Sequence, residues 1–459
     1  MLTTDRLGML DEFGSRKTII PAEVRGFYRR RKSILHFILL LVFLGLPWLR
    51  IGNTQALLFD IPNRHFEIFG KVFLSHDSPL IFFIFLICVL SIMLVTALWG
   101  RVWCGWACPQ TVFIDTVYRK LEYWVEGNYI QRRRLRDGPL SGEKIFKSSV
   151  KWALFALVSS AFAHSFIAYF VGSQKLLTMM QANPGQNWSY FIAVISVSAL
   201  LLFNFGWFRE QFCILMCPYG RFQGVLMDTQ TYNIHYDFAR GEPRRGTVGE
   251  GVPAGDCVAC NRCVQVCPTG IDIRNGLQME CIGCTACVDA CDTIMEKIKK
   301  PTGLISYRSE IQSEKINFFR FRVLAYFSLL ILSIGALAYN VAGHLAFSAV
   351  AIRSVEAPFQ RAPDGKILNH FKIHLHSQSR KTQDLVLALK TPSEPEHLIQ
   401  PADVYHLSPE SSRVIHVFIS FSENIMNNSG TGKTKLIVKE KNSGETQELE
   451  ITLLGPVQN

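Results

Sequence analysis

Long apolar runs alternate along this chain with strongly polar stretches. Five runs are long enough to cross a bilayer, which takes about 20 residues and at least about 17: Ser33–Leu49, Pro79–Trp99, Val150–Val171, Trp188–Trp207 and Val323–Gly343. Trp48, Trp99, Trp188 and Trp207 mark their ends, where aromatic rings settle at headgroup level. After Cys108-Pro109 and Cys217-Pro218 the pattern changes. Proline suits the first position of a helix, and Val112, Ile114, Val117, Leu121 and Trp124 then recur with helical period, predicting an amphipathic helix. From about residue 350 the period falls to two. Phe371, Ile373 and Leu375 alternate with polar residues, as do Ile415, Val417, Ile419 and Phe421, with further apolar stretches at Leu436–Val438 and Leu449–Leu454 and a turn at Asn442-Ser443-Gly444. Short alternating strands separated by turns predict a small β-sandwich.

Charge orients the spans. Lysine and arginine number eight in residues 1–32, three in 50–78, nine in 100–149, one in 172–187 and fourteen in 208–322. Since cytoplasmic loops carry the excess of positive charge, the N-terminus, the 100–149 loop and the 208–322 segment are expected in the cytoplasm and the tail after Gly343 outside. The net charge of +11 is thereby explained by membrane topology, with no nucleic-acid partner. Residues 1–20 include Asp5, Asp11 and Glu12 and no apolar run, so no cleavable signal peptide is expected. The predicted organisation is a cytoplasmic segment 1–32, a transmembrane region 33–227, a cytoplasmic insert 228–322 entered through a Gly-, Pro- and Arg-rich loop at 240–256, a fifth span 323–343 and a β domain 344–459.

Twelve of the thirteen cysteines fall in four groups, and Cys88 stands alone in an apolar run. Cys257, Cys260, Cys263 and Cys267, followed by Pro268, have the spacing of bacterial ferredoxins, and Cys281, Cys284, Cys287 and Cys291 repeat it with Asp292 in place of proline. In two-cluster ferredoxins the fourth cysteine of each run serves the other cluster. One 4Fe–4S cluster is therefore expected on Cys257, Cys260, Cys263 and Cys291, the other on Cys281, Cys284, Cys287 and Cys267, with Asp292 not a ligand. Paired structural zinc sites are the competing reading, and zinc rarely uses a paired run of eight cysteines.

The remaining two groups form an internal repeat. Each pair of spans runs into an arginine, aromatic residues and Cys-x-x-x-Cys-Pro: Arg101 to Cys104, Cys108 and Pro109, then Arg209 to Cys213, Cys217 and Pro218. Duplicated hairpins related by an axis along the membrane normal would bring both cysteine pairs together. Soft thiolates at this spacing suit Cu(I), either pairwise or as one shared four-sulfur site. Cysteines buried merely as small apolar residues are the plainer alternative. Histidine is less telling. His164, in mid-span, could ligate a metal, contact a quinol or bond a neighbouring helix, and His36 lies near the inner end of the first span. His370, His374 and His376 share one strand face, where a solvated polar surface competes with Cu(II) binding, and Met179-Met180 fits packing better than copper contact.

The whole order resembles the CcoG family (also FixG or RdxA) of accessory proteins for cbb-type cytochrome oxidase assembly. The likeness rests on Trp103-Cys104-Gly105-Trp106-Ala107-Cys108-Pro109-Gln110-Thr111, on Arg240-Gly241-Glu242-Pro243-Arg244, on Cys267-Pro268-Thr269-Gly270-Ile271-Asp272-Ile273-Arg274, and on Glu280-Cys281-Ile282-Gly283-Cys284 with Asp289-Ala290-Cys291-Asp292. It is close from 99 to 307 and loose in the tail. The resemblance implies a five-helix membrane bundle with a ferredoxin-like insert carrying two 4Fe–4S clusters and a C-terminal immunoglobulin-like domain. It also implies a cupric reductase of the bacterial inner membrane that makes Cu(I) for the oxidase, working with copper-trafficking and oxidase-assembly proteins. Combined with the repeat, it places Cys104, Cys108, Cys213 and Cys217 as the site of copper reduction, fed by a cytoplasmic donor or by quinol. Two other functions fit the cysteines: a quinol-oxidising membrane ferredoxin subunit like that of periplasmic nitrate reductase, and a non-enzymatic assembly scaffold.

Overall fold

Each of the five apolar runs is helical, because a backbone in hydrocarbon must satisfy its polar groups within its own segment. The computed structural model describes residues 19–456 apart from 53, 63–64, 70, 75–77, 246–253, 312–315, 343–346, 355–357, 364, 378–381, 391–396, 410, 424–425 and 428. Most of the stretch read for a signal peptide, the middle of the 240–256 loop and the first residues of the tail thus lie outside the described residues. Among those described, five helices have the length and apolar character to cross a membrane: Phe27–Trp48, Ile81–Trp99, Gly142–Val171, Trp188–Phe208 and Phe321–Val341. The first begins six residues before the apolar run and the third eight, since their basic flanking turns are helical too; such side chains can carry their charge to the interface.

The first compact unit comprises Ser78–Leu337 with the chain up to Lys71. Its membrane part is centred on aromatic packing. Phe113 meets Phe43, Phe162 and Phe205 with ring centroids 4.9–5.2 Å apart, and Tyr118 meets Phe155 at 4.9 Å. Phe113 and Tyr118 belong to the helix predicted after Cys108-Pro109. Val112, Ile114 and Leu121 are buried as its pattern requires, but Trp124 is 74% exposed. The reason is local: a π-helical turn over Ile114–Tyr118 adds a residue to the period, so beyond it the buried positions are Leu121 and Glu122, and Trp124 falls outside them. Near the hairpin ends Ala97 and Leu98 pack with Val323 of the fifth span.

The cysteine-rich segment belongs to this same unit. Strands Asn233–Tyr236 and Ile305–Arg308 pair antiparallel, Asn233 opposite Arg308, and frame the helices Arg262–Gln265 and Ala286–Lys297. Ile234, Tyr236, Ile273, Val288, Met295, Leu304 and Ile305 form its core together with Cys257 and Cys263.

The second unit contains Ala338–Asn459 and Val72–Asp77. It holds two antiparallel sheets. One runs His397–Ile399, Ser412–Phe421, Ile367–Ser377, Phe347–Arg353, with Gln360–Arg361 also on Ile367–Ser377; the other runs Tyr405–Leu407, Gln383–Leu389, Thr431–Glu440, Thr446–Leu454. The alternating residues read from the sequence point inward as expected: Phe371, Ile373, Leu375, Val417, Ile419, Phe421, Leu436, Val438 and Leu453 share one core. Asn369, wholly buried among them, joins the sheets by donating to the Leu454 carbonyl at 2.8 Å and accepting from the Leu454 N–H at 2.7 Å.

Candidate iron–sulfur and thiol site

The two ferredoxin-like cysteine runs wrap their surroundings by the same backbone device. Ala259 and Asn261, two and four residues after Cys257, have φ of 53° and 55°; Gly283 and Thr285, two and four residues after Cys281, have φ of 66° and 64°. Left-handed residues between ordinary ones turn successive N–H groups inward into a concavity of the kind that accommodates iron–sulfur cores. Three of the four are not glycine and hold this conformation at a cost of order 1–3 kcal/mol each. Arg274 secures the first loop by bonding Asn261 Oδ1 at 2.6 Å and Asp272 at 2.7 Å.

Within these loops lie two cavities. One is lined by Cys257, Cys260, Cys263 and Cys291; the other by Cys267, Cys281, Cys284 and Cys287, with Cys263 at their shared edge. Each thus collects three cysteines of one run and the fourth of the other. Burial pushes the thiols up, Cys263 to about 11 and Cys281 and Cys291 to about 12, although Arg274 acts against the rise at Cys263. Such thiols stay neutral in an empty pocket, and a coordinated metal deprotonates them outright. A four-iron core needs its four thiolates spread around a volume, as each of these two sets of four is. The residues therefore fit the cluster. Asp292, beside Cys291, accepts a hydrogen bond from the Gly303 N–H at 2.8 Å.

The hairpin cysteines lie against this segment. Arg101 donates to the Cys281 carbonyl at 2.9 Å, to the Met279 carbonyl, and to the Gly220 carbonyl at 3.4 Å, tying the first hairpin, the second hairpin and the second cysteine run to one guanidinium. Gly105, between Cys104 and Cys108, is pressed on Gly283: a Cβ on Gly105 would stand 2.4 Å from the Gly283 carbonyl oxygen. Only two glycines allow two backbones to approach so closely. The loop that holds Cys281 and Cys284 is thereby seated on the turn that holds Cys104.

Across the repeat, the buried Gln223 of the second half donates to Cys104 Sγ at 3.3 Å, and Gln110 and Asn204 exchange side-chain amide bonds at 3.1 and 2.8 Å. Thr111 Oγ1 donates to the Cys104 carbonyl at 2.6 Å. Burial chiefly raises Cys104, to about 12, and also Cys108 and Cys213; negative charge on Cys217 would raise each further, as would charge on Cys108 for Cys104 and Cys213. A soft cation would reverse that balance and stabilise the thiolates.

Below the site lies an ionic layer that the sequence reading missed. Asp115 bonds Lys32 at 2.7 Å, lies 3.4 Å from Arg29, and pairs with Arg119, which also holds Glu210. Glu122 takes Arg132 and Arg209. Asp115, Glu122, Lys32 and Arg132 are all buried. Arg209 bears φ of 52° at the hairpin entrance. Asp289, on the helix carrying Cys287 and Cys291, accepts the first-turn N–H groups of Tyr28 and Arg29 at 3.1 and 2.7 Å, so the first span is capped by the cysteine-rich segment. Asp115 among Val112, Ile114 and Val117 was the available signal, an acid on an otherwise apolar face.

His164 is not brought to sulfur. Its Nδ1 lies 2.7 Å from the Ser160 carbonyl in its own helix, and its ring meets Tyr190 edge-on at 6.4 Å. His36 is buried, with Nδ1 3.2 Å from Thr116 Oγ1.

Three family models match the chain: a 4Fe-4S dicluster domain over residues 208–310, a 4Fe-4S binding domain over 81–129, and the IG-like fold at the C-terminal of FixG over 337–456. The chain is 32% identical to protein RdxB of Cereibacter sphaeroides over 419 residues, 83% of this chain and 84% of that protein. It is 34% identical to protein RdxA of the same organism over 401 residues, covering 82% and 83%. It is 36% identical to nitrogen fixation protein FixG of Rhizobium meliloti over 304 residues, covering 64% and 58%. A crystal structure of a FixG-related protein from Vibrio parahaemolyticus aligns with 24% of this chain and 97% of its own at 14% identity, with a TM-score of 0.22.

Proposed function

The chain belongs to the FixG/RdxA family of membrane iron–sulfur oxidoreductases, and from that premise we propose that it reduces Cu(II) to Cu(I) at Cys104, Cys108, Cys213 and Cys217, for assembly of a cbb-type oxidase. Cys257, Cys260, Cys263 and Cys291 would hold one 4Fe–4S cluster, and Cys267, Cys281, Cys284 and Cys287 the other. When bound, the clusters supply one-electron reducing equivalents. The observation that carries the reading is the Gly105–Gly283 contact, which seats the loop of Cys281 and Cys284 on the turn of Cys104.

The substrate ion gains one electron. Thiolates favour the soft Cu(I) product over Cu(II), so the hairpin sulfurs draw the reduction forward as they bind. Gln223 orients Cys104, and the Gln110–Asn204 pair fixes the two halves against each other. The electron comes from a cytoplasmic donor or from quinol. In this reading the protein sits in the bacterial inner membrane with its cysteine-rich segment in the cytoplasm and its β domain in the periplasm, and copper-trafficking and oxidase-assembly proteins are its partners.

One observation favours a second reading of the hairpins. The 4Fe-4S binding model over 81–129 includes Cys104 and Cys108, so the four sulfurs suit a further iron–sulfur core that oxidises quinol. Replacing all four with serine separates the two. Copper reduction is expected to vanish while about eight iron atoms per chain, two cubes' worth, remain. Full retained copper reduction would remove the assignment, and a fall from about twelve iron atoms to eight would favour the second reading.

A further inference from the structure

A cleft of about 600 Å³ opens where the start of the first span meets the cysteine-rich segment. That volume is in the range of small-molecule sites. Its walls are held in place. Residues 21–25 are tied to the cysteine-rich segment by the Ala22 N–H, which donates to the Gln265 carbonyl at 2.9 Å, and by Arg262, which donates to the Glu23 carbonyl at 2.9 Å. Ala22 packs there with Val266 and Ala290. Another wall is the helical segment that carries Asp115, Arg119 and Lys120. Cys284 lines both this cleft and the second cysteine cavity.

Six cations line the cleft against three acids, Glu23, Asp115 and Asp289. Asp115 is already met by Lys32 and Arg119, and Asp289 by the N–H groups of Tyr28 and Arg29. The exposed Arg25 and Lys120 make no ion pair among the described residues. Arg119 and Arg132 hold Asp115, Glu210 and Glu122 through terminal nitrogens, yet the buried Nε of each has no hydrogen-bond acceptor among the described residues. A buried donor without an acceptor is costly, and a cleft with an excess of one charge focuses its field on an incoming ion of the other. A carboxylate offers two oxygens, whereas a phosphate group offers three or more and can carry a second charge, so it can take several donors at once. We propose that this cleft binds a phosphate-bearing anion, with Arg25 and Lys120 as its charge partners and the Nε–H groups of Arg119 and Arg132 as further donors. A lipid headgroup beside the start of the span and a soluble phosphate ester present the same group.

This site does not depend on the copper reading. Full-length protein in a neutral detergent is titrated calorimetrically at low salt with inorganic pyrophosphate. A second arm uses detergent-dispersed phosphatidylglycerol, with phosphatidylcholine as the headgroup of zero net charge. One equivalent of at least one of the two anions is expected to bind, with affinity falling as salt rises. Tighter binding of pyrophosphate assigns the cleft to a soluble phosphate ester, and tighter binding of phosphatidylglycerol, with phosphatidylcholine inert, assigns it to a lipid headgroup. Arg25→Gln and Lys120→Gln, both at exposed positions, should each weaken binding at least about tenfold without moving the melting temperature. Lys297→Gln, outside the cleft, should leave binding unchanged. Failure of both anions to bind the unaltered protein, or unchanged affinity when Arg25→Gln and Lys120→Gln are combined, would overturn the proposal.

Discussion

Replacing Gly105 with alanine should unseat the second cysteine loop. The new methyl group would sit 2.4 Å from the Gly283 carbonyl oxygen, where ordinary contact begins at 3.4 Å, so the two backbones must part by about 1 Å. Neither side can give way cheaply. The atoms met are backbone, and Gly283 is itself confined by Arg101, whose carbonyl oxygen lies 2.8 Å from where a Cβ on Gly283 would stand. Overpacking of this kind costs about 1–3 kcal/mol, a factor of about 5–150 in the balance between the seated and displaced loop. Protein reduced without oxygen and mixed rapidly with Cu(II) reports the effect through the recovery of iron–sulfur absorbance. The variant should keep its iron and reoxidise more slowly by a factor within that range. Gly45→Ala is the control, because a Cβ there meets nothing within 4 Å; it should be neutral or slightly stabilising. A Gly105→Ala protein with unaltered reoxidation rate and thermal stability would refute the idea that this contact couples the two sites.

Other outcomes follow from the ionic layer. Asp115→Ala leaves Lys32 buried without its partner and should cost about 3–5 kcal/mol, read by thermal unfolding in detergent. Burial alone would raise the Asp115 carboxyl, but Lys32, Arg119 and Arg29 outweigh it and hold the group well below its ordinary 3.8. Its stabilisation is therefore complete above that value and is lost as pH falls through the lowered folded one, so Asp115→Asn should flatten the acid limb of the stability curve. Asp289→Ala removes the cap on Tyr28 and Arg29 and should cost about 0.5–2 kcal/mol, with faster hydrogen exchange confined to the start of the first span.

The spans, the double cysteine run and the alternating strands of the tail were legible because each is a local pattern: apolar length, ligand spacing, period two. The duplicated Cys-x-x-x-Cys-Pro was legible as a repeat. What the repeat could not show is how its halves meet. Gln223 and Cys104 are 119 residues apart, and Gly105 touches Gly283 only because two cysteine motifs each place a glycine where a backbone must come close. Trp124 was misplaced since the π-helical turn at Ile114–Tyr118 shifts a period that regular spacing assumes. Asp115 and Lys32 are distant in sequence, and only tertiary packing buries them together, with the half-exposed Arg29 beside them. The three histidines on one strand were visible in sequence, yet the contact of His370 with His416 joins two strands and was not.

The central claim is tested most directly by a single turnover. Fully reduced, oxygen-free protein is mixed with excess Cu(II) and the Cu(I) formed is counted with a chelator. About two Cu(I) per chain are expected, one for each cluster, appearing as the iron–sulfur absorbance recovers, and none in the protein lacking Cys104, Cys108, Cys213 and Cys217. Iron–sulfur clusters that stay reduced in the presence of Cu(II), or equal Cu(I) yields with and without those four cysteines, would contradict the account.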